Sequence, residues 1–226
     1  MKGLLRIALL VTAPLLVLQC SNGSSPLAGG SPTSSETTNG ITAAIIYADS
    51  TPAVNASVRL RPATYLSEPE SGLAKRSAAI TDFTTDAQGR LCIGSIMPGR
   101  YTLEVTDERS SAVLLVIDAL PESDTIDLGT NVMKPFAGIS GAVKPDSSAG
   151  PVAAQIYGLE RSAAVDPATG AYSFADIPEG SFTVRLSPSS PQFGAAIVNV
   201  PLLSAGTSDT LPMATLVNVA REDYSA

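Results

Sequence analysis

The chain has 226 residues, 44% of them hydrophobic and 15% charged, with a formal charge of −7 and neither histidine nor tryptophan. Acidity of that size, with no basic cluster, excludes nucleic acid as a partner and implies a solvated surface. Without imidazole the Ser-His-Asp and Cys-His hydrolases and histidine-ligated zinc sites are excluded too, and a sugar-stacking face has only Tyr and Phe to draw on.

Lys2 and Arg6 give a positive start, and Ile7 to Leu18 follow as an apolar run broken by Thr12 and Pro14. Such a run makes about 18 Å of helix. A bilayer span needs about 20 apolar residues, so the run reads as the core of an export signal over residues 1–19. Leu16-Val17-Leu18-Gln19-Cys20 resembles a bacterial lipobox. The resemblance implies acylation of the Cys20 thiol, palmitate-type chains included, and cleavage that leaves Cys20 at the new N-terminus. The sequence departs from the family at Gln19, where Gly, Ala or Ser is usual. The alternative is an ordinary secretory signal cut near the same point. Ser21, where Asp would favour inner-membrane retention, points to the outer membrane of a Gram-negative envelope. Several acyl chains, at about 0.8 kcal/mol per buried methylene, make a lasting anchor.

Residues 20–39 are rich in Ser, Thr, Gly and Pro and carry one charge, Glu36. They cannot bury enough apolar area to fold, and read as a flexible tether.

From Gly40 onward, short alternating runs are separated by turn residues. Val54 to Leu60, Tyr101 to Thr106 and Phe182 to Leu186 each alternate with period two, which predicts strands with one buried and one wet face. Turns are expected at Asp86–Gly89, Pro98-Gly99, Ala168–Gly170 and Pro178–Gly180. Ala112 to Ile117 is apolar throughout and reads as a fully buried strand. Leu91 and Ile93 suggest a strand around Cys92, which is one residue out of phase with them and could face either side of the sheet. With Cys20 assigned to lipid, Cys92 is expected to be a small buried thiol without a disulfide partner. No amphipathic helix is visible after the leader, and the strand spacing predicts an all-β sandwich.

The pattern repeats. Gly89, Ile96, Gly99 and Tyr101 return 81 residues later as Gly170, Ile177, Gly180 and Phe182, and Val54, Ala56 and Val58 return 98 residues later as Val152, Ala154 and Ile156. The difference places an insertion in the first copy, within Arg61 to Phe83. Two tandem sandwiches follow, over 40–134 and 135–217, with a polar tail at 218–226.

The unit Pro52–Val58, Thr85–Leu91 and Ile96–Leu103, with its second copy Pro151–Ile156, Asp166–Tyr172 and Ile177–Val184, resembles the carboxypeptidase regulatory-like domain. The resemblance implies a transthyretin-like, seven-stranded Greek-key sandwich in each copy. It implies glycines at tight or positive-φ positions (Gly89, Gly99, Gly170, Gly180) and turn caps at Asp86 and Asp166. It also implies a non-catalytic spacer, adhesion or accessory module, since the hydroxyisourate-hydrolase branch depends on histidines that this chain lacks.

Candidate sites are few. The acids Asp82 and Asp86, Asp107 and Glu108, and Asp118, Glu122, Asp124 and Asp127 lack the spacing of an EF-hand loop, so no metal and no cofactor is expected. Lys144 with Asn199 or Asn218 and Glu160 or Glu179 has the residue types of the isopeptide bond in related collagen-adhesin B-type sandwiches. The insertion is the candidate partner surface, through Tyr65, Leu66, Glu68, Lys75 and Arg76, because it mixes aromatic, apolar and charged groups on a loop. The reading is a non-catalytic, lipid-anchored scaffold, adhesion or protein-binding module of the cell envelope. Its partners would be the membrane, through Cys20, and an envelope protein or polysaccharide. The alternative is a carbohydrate-binding protein using Tyr65, Tyr157 or Tyr172.

Overall fold

A computed structural model describes residues 39–68 and 82–219, all within one compact unit that begins at Glu36. The leader, Cys20, the tether before Asn39, Lys75, Arg76 and the last residues of the tail lie outside the described residues.

The first half supplies β1 (Gly40–Ile46), β2 (Ser57–Pro62), β3 (Asp82–Thr84), β4 (Arg90–Gly94), β5 (Gly99–Thr106), β6 (Ser111–Leu120) and β7 (Thr125–Val132). A short β8 (Lys134–Pro135) pairs with the start of β6. One sheet runs β4-β1-β7, with β1 antiparallel to β4 and parallel to β7; the other runs β3-β2-β5-β6. Alternation sends Ile41, Ile45, Leu91 and Ile93 from the small sheet, and Val58, Leu103, Val105 and Ile117 from the large one, into a single core.

The second half supplies β9 (Ala137–Ala142), β10 (Val152–Ile156), β11 (Ser162–Ala164), β12 (Ala171–Ile177), β13 (Gly180–Pro188), β14 (Phe193–Gly194), β15 (Ala196–Leu203), β16 (Ser208–Thr210) and β17 (Val217–Asn218). Its sheets run β12-β9-β16 and β11-β10-β13-β15, and β14 pairs separately with β17. The order of the first half recurs strand for strand around a second core containing Ile139, Ile156, Phe174, Ile177, Val184 and Leu186. The protein is all-β, built of two β-sandwiches.

The register refines the repeat. Val58 lies opposite Val105, whereas Ala154 lies opposite Leu186 and Ile156 opposite Val184. Val58 therefore corresponds to Ala154, two residues earlier than the 98-residue spacing requires. A shift of two keeps every side chain on its face, so hydrophobic patterning cannot detect it.

Other expectations need correction. Val54 precedes β2 rather than opening it, because Asn55 takes a positive φ of 56° and turns the chain. β6 is not buried throughout: Val116 is 59% exposed. Cys92 is not buried. Leu91 and Ile93 occupy the core phase of β4, so Cys92 faces outward, and it is disulfide-bonded rather than a free thiol.

Asp86 and Asp166 cap their turns. Asp86 Oδ1 accepts the amides of Gln88 and Arg90, both at 2.8 Å, and Asp166 Oδ1 accepts those of Ala168 and Thr169. Gly89, Gly170 and Gly180 have positive φ, and a Cβ on Gly170 would stand 1.9 Å from the Val143 carbonyl. Gly99 is tight for a different reason: a Cβ there would meet the Tyr101 ring at 3.3 Å.

Candidate functional site: a charged joint between the sandwiches

The outer face of the first large sheet is where the sequence and the structure part most clearly. Core-facing Leu103 and Val105 leave Thr102 and Glu104 on the opposite side of β5, with Arg59 and Arg61 beside them on β2. Arg59 lies directly across from Glu104, and Arg61 across from Thr102. Alternation predicts a wet face, yet Arg61 and Glu104 are each only 2% exposed. The turn between β10 and β11, residues 157–161 of the second sandwich, covers them.

That turn makes its contacts in opposite-sign pairs. Glu160 Oε2 meets Arg61 Nη2 at 2.9 Å and Arg59 Nε at 3.8 Å, while Arg161 Nη2 meets Glu104 Oε1 at 2.8 Å. Arg61 Nη2 also reaches Asp82 Oδ1 at 2.9 Å, and Arg161 Nη2 donates to the Asp176 carbonyl at 3.0 Å. Neighbouring residues of opposite charge thus enter a socket whose charges are reversed. Thr102 Oγ1 donates to the Gly158 carbonyl, and Gly158 N–H donates to the Tyr65 carbonyl at 2.8 Å. Gly158 is required here: its φ is 75°, and a Cβ would lie 2.7 Å from Thr102 Oγ1. Leu114 on β6 packs against the second core and completes the contact.

Burial pushes the Glu104 carboxyl above its usual range, against the attraction of Arg161, Arg59 and Arg61. Burial opposes the charge on Arg61 as well, but the hydrogen bonds it donates to Glu160 and Asp82 outweigh it and the guanidinium is raised. The Tyr65 phenol is raised, chiefly by burial and then by Glu160.

The described part of the insertion belongs to this joint. The Tyr65 ring lies 5.7 Å from the Arg61 guanidinium, and the Ser67 carbonyl accepts from Gln155 Nε2 on β10. Ser67 is buried, Tyr65 and Leu66 are half-buried, and Glu68 is exposed. Tyr65 and Ser67 therefore meet the second sandwich. One sequence signal marks the joint: Glu160-Arg161 is an adjacent opposite-charge pair at a hairpin turn.

The other candidates are dispersed. Tyr172 is 4% exposed, with its ring edge-on to Phe174 and its hydroxyl buried without a partner, so it offers no face to a sugar. Tyr157 is half-buried, and its hydroxyl accepts from Arg185 Nη1 at 3.3 Å. The isopeptide set does not assemble around its acids: Glu160 is held by Arg61, and Glu179 by Lys134 at 2.6 Å. Lys144 and Asn199 are exposed, and Asn218 lies in β17. Among the described residues no group of three or more Cys, Asp or Glu converges as a metal site, and no helix is long and apolar enough to cross a membrane.

No family model matches the chain, and no curated protein matches it. Solved structures do. The minor pilin GBS52 of Streptococcus agalactiae is 12% identical, with 79% of this chain and 96% of that one covered and a TM-score of 0.37. The shaft pilin SpaA of Lactobacillus rhamnosus GG is 12% identical, with 80% and 98% covered and a TM-score of 0.27. The Bacillus anthracis TIE protein is 12% identical with a TM-score of 0.31; 80% of this chain is covered, and the chain spans 34% of that protein.

Proposed function

We propose that this chain is a non-catalytic scaffold, adhesion or protein-binding module of the cell envelope, anchored through lipid on Cys20 and built of two carboxypeptidase regulatory-like sandwiches. One observation carries the reading. The deeply buried charged side chains among the described residues, Arg61 and Glu104, hold one sandwich to the other rather than lining a cleft. Buried Ser67 and Gln155 do the same, while Asn39 and Thr85 fix loops of the first sandwich. A buried ion pair is weak evidence for stability, and the role assigned to this one is to fix the geometry of the pair of sandwiches. A fixed pair of domains on a tether suits presentation of a surface.

The anchor is tested by the mass of the N-terminal peptide from native membranes. An acylated Cys20 is expected. A thioether and a disulfide exclude each other at one sulfur, and Cys20 is the other cysteine of this sequence, so the anchor requires Cys92 to form its disulfide with a separate chain; an unmodified or Cys92-linked Cys20 would refute the anchor. The binding role is tested by cross-linking in intact cells, where a defined envelope protein is expected and its absence would leave a spacer. Glu68 is the position at which to place the cross-linker, because it is exposed and its loop is already held.

A further inference from the structure

The register that relates the two sandwiches also relates their outer faces. Arg59 lies across from Glu104, and Gln155 lies across from Arg185. Glu104 lies across from Leu114, and Arg185 across from Ile197. Thr102 pairs with Val116, and Thr183 with Asn199. The face that receives a protein turn in the first sandwich therefore has a counterpart in the second, where Arg185 stands in place of Glu104 and Ile197 in place of Leu114.

The two faces differ in what covers them. Leu114 is packed against the second core, whereas Ile197 is 52% exposed. Glu104 has Arg161 as its counter-ion. Arg185 hydrogen-bonds to Ser187 Oγ at 3.0 Å and Tyr157 Oη at 3.3 Å, and no carboxylate among the described residues lies within ion-pair distance. Among the described residues, Gln155 on this face is covered by the insertion, through the Ser67 carbonyl.

From this continuity with the joint we infer that the outer face of β10, β13 and β15, centred on Arg185 and Ile197, is a docking surface for a separate protein. The occupant is a tight turn that presents a carboxylate to Arg185 and an apolar side chain to Ile197. Charge complementarity sets the sign: arginine in the position of glutamate requires an acid where the first joint uses Arg161. A second copy of this chain is a poorer fit. The plug of the first joint is the short β10–β11 turn, while the corresponding β2–β3 connection carries the insertion, whose Tyr65 and Ser67 are already engaged. The inference rests on the protein-binding part of the proposed function.

The probe is a disulfide-closed hairpin peptide that reproduces the Ile156–Ser162 turn with Arg161→Asp, titrated into isotope-labelled mature chain and followed by NMR. Saturable shifts are expected at Arg185, Ile197 and Asn199. Affinity should fall about tenfold or more in Arg185→Glu and be largely kept in Arg185→Lys, since a charged hydrogen bond is lost in one and retained in the other. Unchanged amide shifts along β13 outside the face verify that both variants fold. Absence of saturable shifts, or equal affinity in Arg185→Glu, overturns the inference. So does self-association that Ile197→Asp abolishes, which makes a second copy the occupant. Binding that appears only after deletion of residues 69–81 overturns it too, because the chain's own loop then fills the face. Each of these failures leaves the cross-linking test of the proposed function intact, which can still succeed through another surface.

Discussion

Replacing Glu104 with alanine should do more damage than any other single surface-face substitution in the first sandwich. The carboxylate is 3% exposed at the side chain and lies 2.8 Å from Arg161 Nη2. Unit charges roughly 3 Å apart at an effective dielectric of about 20 attract by about 5 kcal/mol. Desolvation of both groups offsets much of that while the pair is intact. Removal of one partner leaves the other half-buried and uncompensated, at a cost of about 3 to 5 kcal/mol. Arg161 is 17% exposed and keeps the Asp176 carbonyl, which argues for the lower end, about 3 kcal/mol. The assay is urea unfolding of the mature chain, read by tyrosine fluorescence and far-UV dichroism. In the parent, one transition is expected, because the joint ties the two cores together. In Glu104→Ala the transition should split or shift by the stated amount. The double variant Glu104→Leu, Arg161→Met should recover most of the loss, because an apolar pair carries no desolvation penalty. The pH dependence has a definite sign. Glu104 is raised above its ordinary value by burial, so the pH-linked part of its contribution is fully present below the unfolded carboxyl range and is lost as pH rises through the folded value. Glu104→Ala should flatten that dependence. A change below about 0.5 kcal/mol, or strict additivity of the two single substitutions, would refute the argument that the pair acts as a buried unit.

Other substitutions probe separate links. Thr85→Val removes a buried hydroxyl that donates to the Ala53 carbonyl and accepts from Ala56 N–H at 2.9 Å; stranding both backbone groups should cost about 2 to 4 kcal/mol in urea melts, and Thr85→Ser should retain most of the stability. Gly158→Ala should cost about 1 to 3 kcal/mol, since the new Cβ meets Thr102 and the backbone is left-handed, and calorimetry should show the joint weakening first. Tyr172→Phe should be neutral or stabilise by up to about 1 kcal/mol, because it deletes a buried hydroxyl with no partner; a clear loss would mean that the hydroxyl is bonded. The Lys134 hydrogen bond, helped by Ala205 N–H, holds Glu179 below the usual carboxylate range. That stabilisation is present above the ordinary glutamate value and lost as pH falls through the folded one, and an NMR titration of Lys134→Ala should show Glu179 moving up.

Fold class was legible because the core obeys a period of two. Val58, Leu103, Val105 and Val184 are all fully buried, and each sits in the phase that simple alternation assigns to it. Turn chemistry was legible for a local reason: Asp86 and Asp166 bond to amides two to four residues away, so the information lies within the turn itself. The disposition of Cys92 was ambiguous until Leu91 and Ile93 were seen to face the core, since a three-residue window does not fix a phase.

The joint was illegible for the opposite reason. Arg59, Arg61, Thr102 and Glu104 are the residues that a solvated strand face would carry, and composition alone does not distinguish water from a second protein surface as their solvent. What separates the cases is reciprocity. A wet face tolerates any charge order, whereas a docked face requires its partner to carry the reversed order, as Glu160-Arg161 does against Arg61 and Glu104. Charge order at hairpin turns, compared with charge order on the outer face of a neighbouring repeat, is therefore a usable sequence signal in tandem sandwiches. It predicts that exchange of Glu160 and Arg161 destabilises the joint while leaving net charge unchanged. It also predicts that exchange of Arg61 and Glu104 in the same chain restores only part of the loss, because Asp82 and Arg59 remain fixed beside them. Urea unfolding of the three chains tests this. Equal stability of all three would show that the charges fill space rather than set orientation.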